Sequence, residues 1–395
     1  MNILIISHFF PPHKGGVETA AYYTAKNLSK LGHNVFVLTS KQNHTKDFTK
    51  KEENFTIFRY KSYHLPEIRG FPQSSHFGLI LKGIFNLPKI IKKYNIHIIH
   101  LEGRFFPISV LAAFLNSIIL KRPIILTIQG RLSGGYAHHV EFFYDTVIMK
   151  LIYSHVNRII CVSSSLKKHM IKSGGNIEKL KVIYNGVDTD FFKKLDSVSL
   201  LDNFTNSHKD YKKVIFVGRL DHQKGVEYLI RSIPKVLEEY EKVHFLILGN
   251  GNLESKLKHL ARNLEIYSHT KFINMIPLRK MPEFYSSADI FCLPSLHEGF
   301  PLSIAEALSV GLIIVASDTE GIPEAIKENK NGYLVEPKNI GQLSQKLLKA
   351  LNLDQDKIKK ISQTNKKLAK NRYSWEIIVK RIVNEYLDCL KQPKS

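Results

Sequence analysis

Tryptophan occurs once and cysteine three times in 395 residues. Cys161, Cys292 and Cys389 lie far apart, with no pair at metal-ligand or redox-motif spacing, and an odd number argues against a disulfide framework. The expectation is buried or incidental thiols in a reducing compartment. Long apolar runs are missing as well. The longest, Ile108 to Leu120, is interrupted by Ser109, Asn116 and Ser117. It falls short of the roughly 20 residues that a membrane span needs and reads as a buried helix. The start, Met1-Asn2 and then Ile3-Leu4-Ile5-Ile6, carries no basic n-region and no apolar stretch of signal-peptide length, so a cytoplasmic protein is expected. Acidic residues are scarce, 35 against 57 basic ones, for a net charge of +22. Such an excess attracts polyanions. The Lys and Arg are spread along the chain without a basic tail, zinc-finger spacing or an aromatic RNA-binding signature. That points away from nucleic acid and toward nucleotide phosphates or loose attachment to the anionic inner face of a membrane.

What is present is an ordinary globular composition, 44% hydrophobic and 23% charged, long enough for two or three domains. Short β-branched runs alternate with amphipathic helical stretches. Strands are expected at Asn2–Ser7, Asn34–Thr39, Phe55–Tyr60, Ile96–His100, Pro123–Ile128, Arg158–Val162 and Lys181–Tyr184, with helices at Glu18–Leu31, Gly78–Tyr94 and Val140–Ser154 among them. The alternation restarts after a polar, unpatterned stretch, Asp196–Tyr211. Further strands read at Lys213–Val217, Val243–Leu248, Lys271–Ile273, Ile290–Leu293 and Leu312–Ala316. Helices between them read at Val226–Glu239, Leu253–Leu264, Lys280–Ser286 and Leu302–Ser309. Near-continuous apolar strands with helical crossovers mean parallel sheets covered on both faces. The fold class is therefore α/β, with two doubly wound domains in tandem. Ligands on such sheets bind at the carboxyl ends of the strands, so the sites belong in the loops there, facing a cleft.

Three of those loops carry chemistry. Pro11-Pro12-His13-Lys14-Gly15-Gly16-Val17-Glu18 leaves the first strand and opens the first helix. Paired glycines let a ligand approach the backbone, and a helix N-terminus offers N–H groups to an anion. By itself the pair reads equally as an ordinary turn, and it is not a Gly-x-Gly-x-x-Gly fingerprint. Gly218-Arg219-Leu220-Asp221-His222-Gln223-Lys224-Gly225 places an arginine fork and a lysine point charge beside one strand end, where they can meet one anion or form a surface salt bridge. It lacks the order of a nucleotide-hydrolysing P-loop. The strongest segment is Glu298-Gly299-Phe300-Pro301-Leu302-Ser303-Ile304-Ala305-Glu306. Pro301 suits a first helical position. Glu298 then lies in the loop and Glu306 in the helix, roughly 7 Å further along. The free N–H groups near Pro301–Ser303 can receive phosphate oxygens, and the two carboxylates can grip hydroxyls on either side. The alternative is a helix cap and a solvated face residue. Gly249-Asn250-Gly251 is a weaker turn of the same kind. Asp188-Thr189-Asp190 and the pair His138-His139 resemble metal ligands only superficially, and no metal site is expected.

Taken together and in order, these segments resemble glycosyltransferase family 4. Ser7-His8-Phe9-Phe10-Pro11-Pro12 with Gly15-Gly16-Val17-Glu18 resembles its N-terminal glycine loop. Ile183-Tyr184-Asn185-Gly186-Val187-Asp188 resembles its interdomain turn, and Gly218-Arg219-Leu220 with Lys224-Gly225 its phosphate site. Glu298-x7-Glu306 resembles its donor-sugar signature, and Ser374-Trp375-Glu376 the start of its C-terminal helix. The resemblance implies a GT-B fold, two Rossmann-like domains facing across a cleft. It assigns residues 1–192 to the acceptor side, 193–370 to the nucleotide sugar, and 371–395 to a helix crossing back to the N-terminal domain.

It also implies roles. Arg219, Lys224 and Glu298 would be catalytic, the first two neutralising the departing diphosphate, the last holding sugar hydroxyls near the reacting carbon. Gly15, Gly16, Gly218, Asn250, Phe300, Pro301, Leu302, Ser303 and Glu306 would bind the donor, Glu306 through the ribose. His8, Glu102, Gln129 and Arg131, with Arg104 and the stretch from Gln129 to Tyr136, would position sugar or acceptor. The chemistry would retain anomeric configuration by front-face attack, a phosphate oxygen taking the acceptor proton, with no metal and no cofactor beyond the donor substrate. One position departs from the pattern. Many members have a His after strand Pro123–Ile128, where this chain has Gln129, which donates a hydrogen bond but carries no proton at neutral pH.

The expected activity is transfer of a hexose-type sugar from a nucleotide diphosphate to a cellular acceptor, a lipid-linked or polysaccharide glycan. Two other classes fit the architecture. One is a phosphorylase or nucleotide-sugar epimerase, the other a non-catalytic nucleotide-sugar-binding protein.

Overall fold

Runs of Ile, Val, Leu and Phe with no polar alternation can only be satisfied as strands covered on both faces, and the chain builds two such sheets. The computed structural model describes residues 1–42, 50–52, 55–64, 78–131, 141–196, 211–274 and 276–391. These divide into two units. One comprises residues 1–185 together with 375–395, the other residues 186–374.

In the first unit the strands are β1 (Asn2–Ser7), β2 (Asn34–Lys41), β3 (Lys50–Glu52), β4 (Phe55–Lys61), β5 (Tyr63–His64), β6 (Gly78–Leu79), β7 (Ile98–Glu102), β8 (Ile124–Ile128), β9 (Arg158–Cys161) and β10 (Leu180–Val182). Eight form one sheet in the order β10-β9-β8-β7-β1-β2-β4-β3, parallel throughout except for β3. β5 and β6 make a separate two-stranded ribbon. The order reverses at β1, which pairs with β2 on one side and β7 on the other, so that Ser7 stands beside Glu102. The strand expected at Ile96–His100 runs instead from Ile98 to Glu102. Its polar end, Glu102, is buried, which hydropathy alone reads as an exit from the strand.

Helix α1 (Gly16–Lys30) follows β1, and α2 (Leu81–Lys93) precedes β7. The apolar run expected to be a buried helix forms α3 (Pro107–Leu115) and one wider turn, Asn116–Leu120. It is only half buried. Ile108, Ala112 and Ala113 face the core, while Phe114, Ile118 and Ile119 are more than half exposed. A run that is apolar on all sides does not say how many of its faces are covered. The helix expected over Val140–Ser154 is likewise composite, a wider turn at Tyr144–Ile148 leading into α4 (Met149–His155).

The second sheet is wholly parallel, in the order β13-β12-β11-β14-β15-β16. Its strands are β11 (Lys212–Val217), β12 (Val243–Leu248), β13 (Thr270–Ile273), β14 (Ile290–Leu293), β15 (Ile313–Ser317) and β16 (Tyr333–Val335). Here the order reverses at β11, between β12 and β14. Ligands on doubly wound sheets bind where the order reverses.

The units divide at Asn185/Gly186 rather than after residue 192. The segment from Gly186 to Phe192 is fastened to the second unit. The Val187 amide donates to the Tyr373 carbonyl at 2.7 Å, and the Ser309 hydroxyl to the Phe192 carbonyl at 2.6 Å. Most of the polar stretch Asp196–Tyr211 lies outside the described residues. The chain returns at Ser374, and the helix Trp375–Lys391 packs on the first unit. There Trp375 stacks on Tyr23 at 5.7 Å and Tyr386 meets His100.

Candidate active site

Three loops meet at the carboxyl edge of the second sheet, and glycine decides how closely. After β11 the chain runs through Gly218 to Leu220. A one-turn helix, His222–Lys224, follows, held by the Asp221 carboxylate accepting from the Lys224 amide. The Leu220 amide donates to the Asn250 carbonyl at 2.9 Å, tying in the loop after β12. A Cβ on Gly249 would lie 1.8 Å from the Gly218 carbonyl oxygen, and one on Gly251 2.2 Å from that of Leu220. A Cβ on Gly225, whose φ is +62°, would lie 2.1 Å from the Pro294 carbonyl at the end of β14. Gly249-Asn250-Gly251 is thus a packing requirement of this edge.

The charged side chains converge on the loop after β14. The Lys224 ammonium donates to Oε1 of Glu298 at 2.6 Å, and the Ser295 hydroxyl donates to the same oxygen at 2.8 Å. Both side chains are largely withdrawn from solvent, 15% exposed for Lys224 and 6% for Glu298. The Glu298 amide donates to Glu320 at 2.7 Å, and the Gln223 side chain donates to the His297 carbonyl at 2.9 Å. Arg219 remains 46% exposed, paired with Asp221 at 3.1 Å. Each cation of the Gly218–Gly225 loop therefore already holds a carboxylate.

Helix Leu302–Val310 starts where expected and ends one residue later, but Pro301 does not take its first helical position. Pro301 is its cap, with extended backbone, and no side chain caps the first turn. Its missing N–H fits that position too. The first-turn amides beside Leu302 and Ser303 retain the partial positive charge of a helix N-terminus. Phe300 is buried against Tyr373, with ring centroids 4.9 Å apart. Glu306 accepts the Tyr285 phenol proton at 2.7 Å, and burial of its carboxyl pushes the pKa up to about 7 against the pull of that bond.

In the first unit, the switch-point loops follow β1, β7 and β8. Gly15 is shielded by the Glu18 carboxylate, which His13 contacts at 2.5 Å, while space beside Gly16 is open, with nothing within 4 Å of a built Cβ. His8 is buried, stacked on Phe106 at 5.2 Å. Gln129 donates to Glu102 at 3.1 Å and accepts from the Asn185 side chain at 2.9 Å. These three residues share a small cavity with Thr24, Thr127 and Trp375. Burial pushes Glu102 up to about 8, against the hydrogen bond from Gln129, and pushes His100 down to about 3. The neutral His100 ring is held by Tyr386 and Thr127, each at 2.6 Å.

Arg131 turns away from this cluster to Glu141 at 3.2 Å. Glu141 and Asp145 both grip Arg104, which is buried, and His169 approaches Asp145 at 3.0 Å. Glu141, Asp145 and His169 are the one metal-like grouping among the described residues, and a guanidinium already bridges its two carboxylates. Arg104 is therefore a structural ion-pair centre rather than an acceptor contact. Asp188 of the acidic triplet caps its own turn through the Phe191 amide at 3.1 Å. Residues 132–140, with His138-His139 and most of the stretch to Tyr136, lie outside the described residues. Sequence reasoning missed Ser295, Tyr285 and Glu320, and gave Asn185 only as part of the interdomain turn. Only Ser295, three residues before Glu298, carried a local signal.

A family model described as glycosyl transferases group 1 matches residues 200–373, and one described as glycosyltransferase family 4 matches residues 14–191. An uncharacterized glycosyltransferase of Methanocaldococcus jannaschii is 28% identical over 401 residues, covering 98% of each chain. The GPI3 subunit of phosphatidylinositol N-acetylglucosaminyltransferase from Saccharomyces cerevisiae is 26% identical, covering 98% of this chain and 82% of that protein. Among solved structures, Anabaena HepE in complex with UDP-glucose matches with a TM-score of 0.79 at 20% identity, over 98% of this chain and all of that one.

Proposed function

The chain belongs to glycosyltransferase family 4 and is a glycosyltransferase of the GT-B fold, and from that premise we propose that it moves a hexose-type sugar from a uridine-diphosphate donor to a lipid-linked acceptor with retention of configuration. The observation that carries the donor assignment is the Lys224–Glu298–Ser295 cluster beside an uncapped helix N-terminus at the switch point of the second sheet. Lys224, with Arg219, meets the diphosphate, and the amides of Leu302 and Ser303 complete the anion site. Stabilising charge as it develops on the leaving group is commonly the largest catalytic contribution. Glu298, released from Lys224, holds sugar hydroxyls, and Glu306 takes the ribose. Gly16, open on its outer side, accommodates close approach of the donor phosphates.

The acceptor is assigned to the first unit, around Glu102 and Gln129. Burial favours the protonated form of Glu102, which donates as well as accepts a hydrogen bond, and Gln129 fixes its orientation. No side chain here is required as a base if a donor phosphate oxygen takes the acceptor proton as the new bond forms on the face the phosphate leaves. The two cations of the Gly218–Gly225 loop supply the positive charge that a metal would otherwise bring. The lipid acceptor is favoured by the yeast relative, whose name gives it a phosphatidylinositol substrate. The uridine base is favoured by the ligand of the Anabaena protein. Transfer to a lipid acceptor takes place at a membrane surface, and the inner face is our reading.

Calorimetric titration with UDP- and GDP-sugars, followed by transfer to extracted membrane lipid and NMR of the product anomer, tests this reading. Saturable UDP-sugar binding and an axial product linkage from an axial donor are expected. Preference for GDP-sugars, an inverted product, or sugar release by inorganic phosphate in place of transfer would overturn it.

A further inference from the structure

The first unit exposes apolar side chains in stripes, not singly. On α3 and the turn after it, Phe114 is 54% and Ile118 59% exposed, four residues apart. Along the turn and helix leading through α4, Phe143 and Leu151 are each 61% exposed, with Val147 between them at 42%. Steps of four residues put each set on one helix face. The stripes adjoin, because Phe114 meets His155 at the end of α4, with ring centroids 5.9 Å apart. Phe85, on the neighbouring helix α2, is 77% exposed. Side chains of this size and exposure amount to an apolar surface of roughly 650 Å², at or above the upper end of the largest patch a monomer ordinarily shows.

The charges around these stripes have one sign. Lys82, Lys89 and Lys92 on α2, Lys121 after α3, and Lys150 on α4 are exposed. The acids of the same described elements, Glu141 and Asp145, are buried on Arg104. Apolar side chains flanked by cations, with the acids turned inward, complement an acidic headgroup layer over hydrocarbon. Among the described residues no helix is long and apolar enough to cross a membrane, so contact would be from one side.

We propose that the face formed by α2, α3 and α4 docks on an anionic bilayer, with Phe114, Ile118, Phe143 and Leu151 entering the interface and the lysines meeting headgroup phosphates. The proposal adds a surface and its ligand to the transferase reading and does not depend on which acceptor is used.

The test is co-sedimentation of the full chain with phosphatidylcholine vesicles, with and without one-third phosphatidylglycerol. Binding should be at least about tenfold tighter to the anionic vesicles. It should weaken as salt rises from about 0.1 to about 1 M, which shortens the screening length from ~10 to ~3 Å. The variant Phe143→Ser/Leu151→Ser, whose side chains are exposed and should leave folding intact, is expected to lose at least about tenfold in binding. Its circular dichroism and UDP binding in vesicle-free buffer should match the wild type. Variant binding equal to wild type, or no wild-type preference for anionic vesicles, overturns the proposal. So does a wild-type dimer that this variant dissociates, because the face would then belong to a protein partner. Failed sugar transfer with intact vesicle binding would count against the transferase assignment alone.

Discussion

Oε1 of Glu298 accepts both the Lys224 ammonium, at 2.6 Å, and the Ser295 hydroxyl, at 2.8 Å. The cation assigned to the leaving diphosphate is therefore occupied before any donor arrives. Glu298→Gln should release it. The expected outcome is UDP binding several-fold tighter, by about 1 kcal/mol for a partly screened ion pair, with sugar-transfer kcat at least about tenfold lower. Lys224→Ala should lower kcat by at least about tenfold as well and weaken UDP. Calorimetry and steady-state kinetics on the two variants read both effects, and parallel loss of UDP binding in the two would refute the arrangement.

Glycines 16 and 249 should respond in opposite ways. A Cβ on Gly249 meets the Gly218 carbonyl oxygen at 1.8 Å on a backbone with φ +148°, whereas one on Gly16 meets nothing within 4 Å. Gly249→Ala is expected to cost about 2 kcal/mol or more in stability. Gly16→Ala should change stability by less than about 0.5 kcal/mol, yet raise the donor KM or lower kcat if the donor phosphates approach there. Urea unfolding beside kinetics separates the two.

Glu306 gives a pH dependence with a definite sign. Burial raises its pKa from 4.5 to about 7 in the folded chain. A carboxylate accepts ribose hydroxyls more strongly when ionised, so UDP affinity should rise with pH through about 7. Stability moves the other way. The folded state holds the proton longer, and this group's contribution is fully present below pH 4.5 and declines until pH 7. Glu306→Gln should flatten both profiles, measured as Kd and Tm between pH 5 and 8.5. A Kd independent of pH in the wild type would remove Glu306 from the ribose site.

Arg104 should behave as a structural residue. Its guanidinium is held by Glu141 at 2.6 Å and by Asp145, all three buried. Arg104→Leu removes the buried guanidinium that bridges Asp145 and Glu141, leaving Glu141 with Arg131 alone, at a cost of about 3–5 kcal/mol. Denaturation midpoints should fall accordingly, while UDP affinity of the folded fraction stays within about twofold.

Parts of this architecture are legible residue by residue in the sequence. β1 and the helix Val226–Glu239 have the bounds their apolar patterns imply, because polar residues flank them sharply. The placement of Glu298 in a loop and Glu306 in a helix is legible for the same reason, since one loop and one helix hold both. The Gln129 bridge is not. Its partners, Glu102 and Asn185, are 27 and 56 residues away, and only the sheet order brings them together. Tyr285 beside Glu306 and Arg104 between its two acids are long-range in the same way. The half-exposed apolar run at Phe114 and Ile118 misleads for a different reason. Periodicity reports a helix, but an all-apolar pattern is silent on what covers it.

The helix Trp375–Lys391 has a consequence for biogenesis. It belongs to the unit that contains the first 185 residues, and its Tyr386 and Trp375 complete contacts with His100 and Tyr23. During synthesis the amino-terminal stretch emerges long before this helix exists. The contiguous stretch from Gly186 to Ser374 has all its own strands once it has left the ribosome, and domains generally fold as units in the order they emerge. The unit whose synthesis starts first is thus the later of the two to be completed, and nascent β1 and β7 await a helix that is made only after the whole of the other unit.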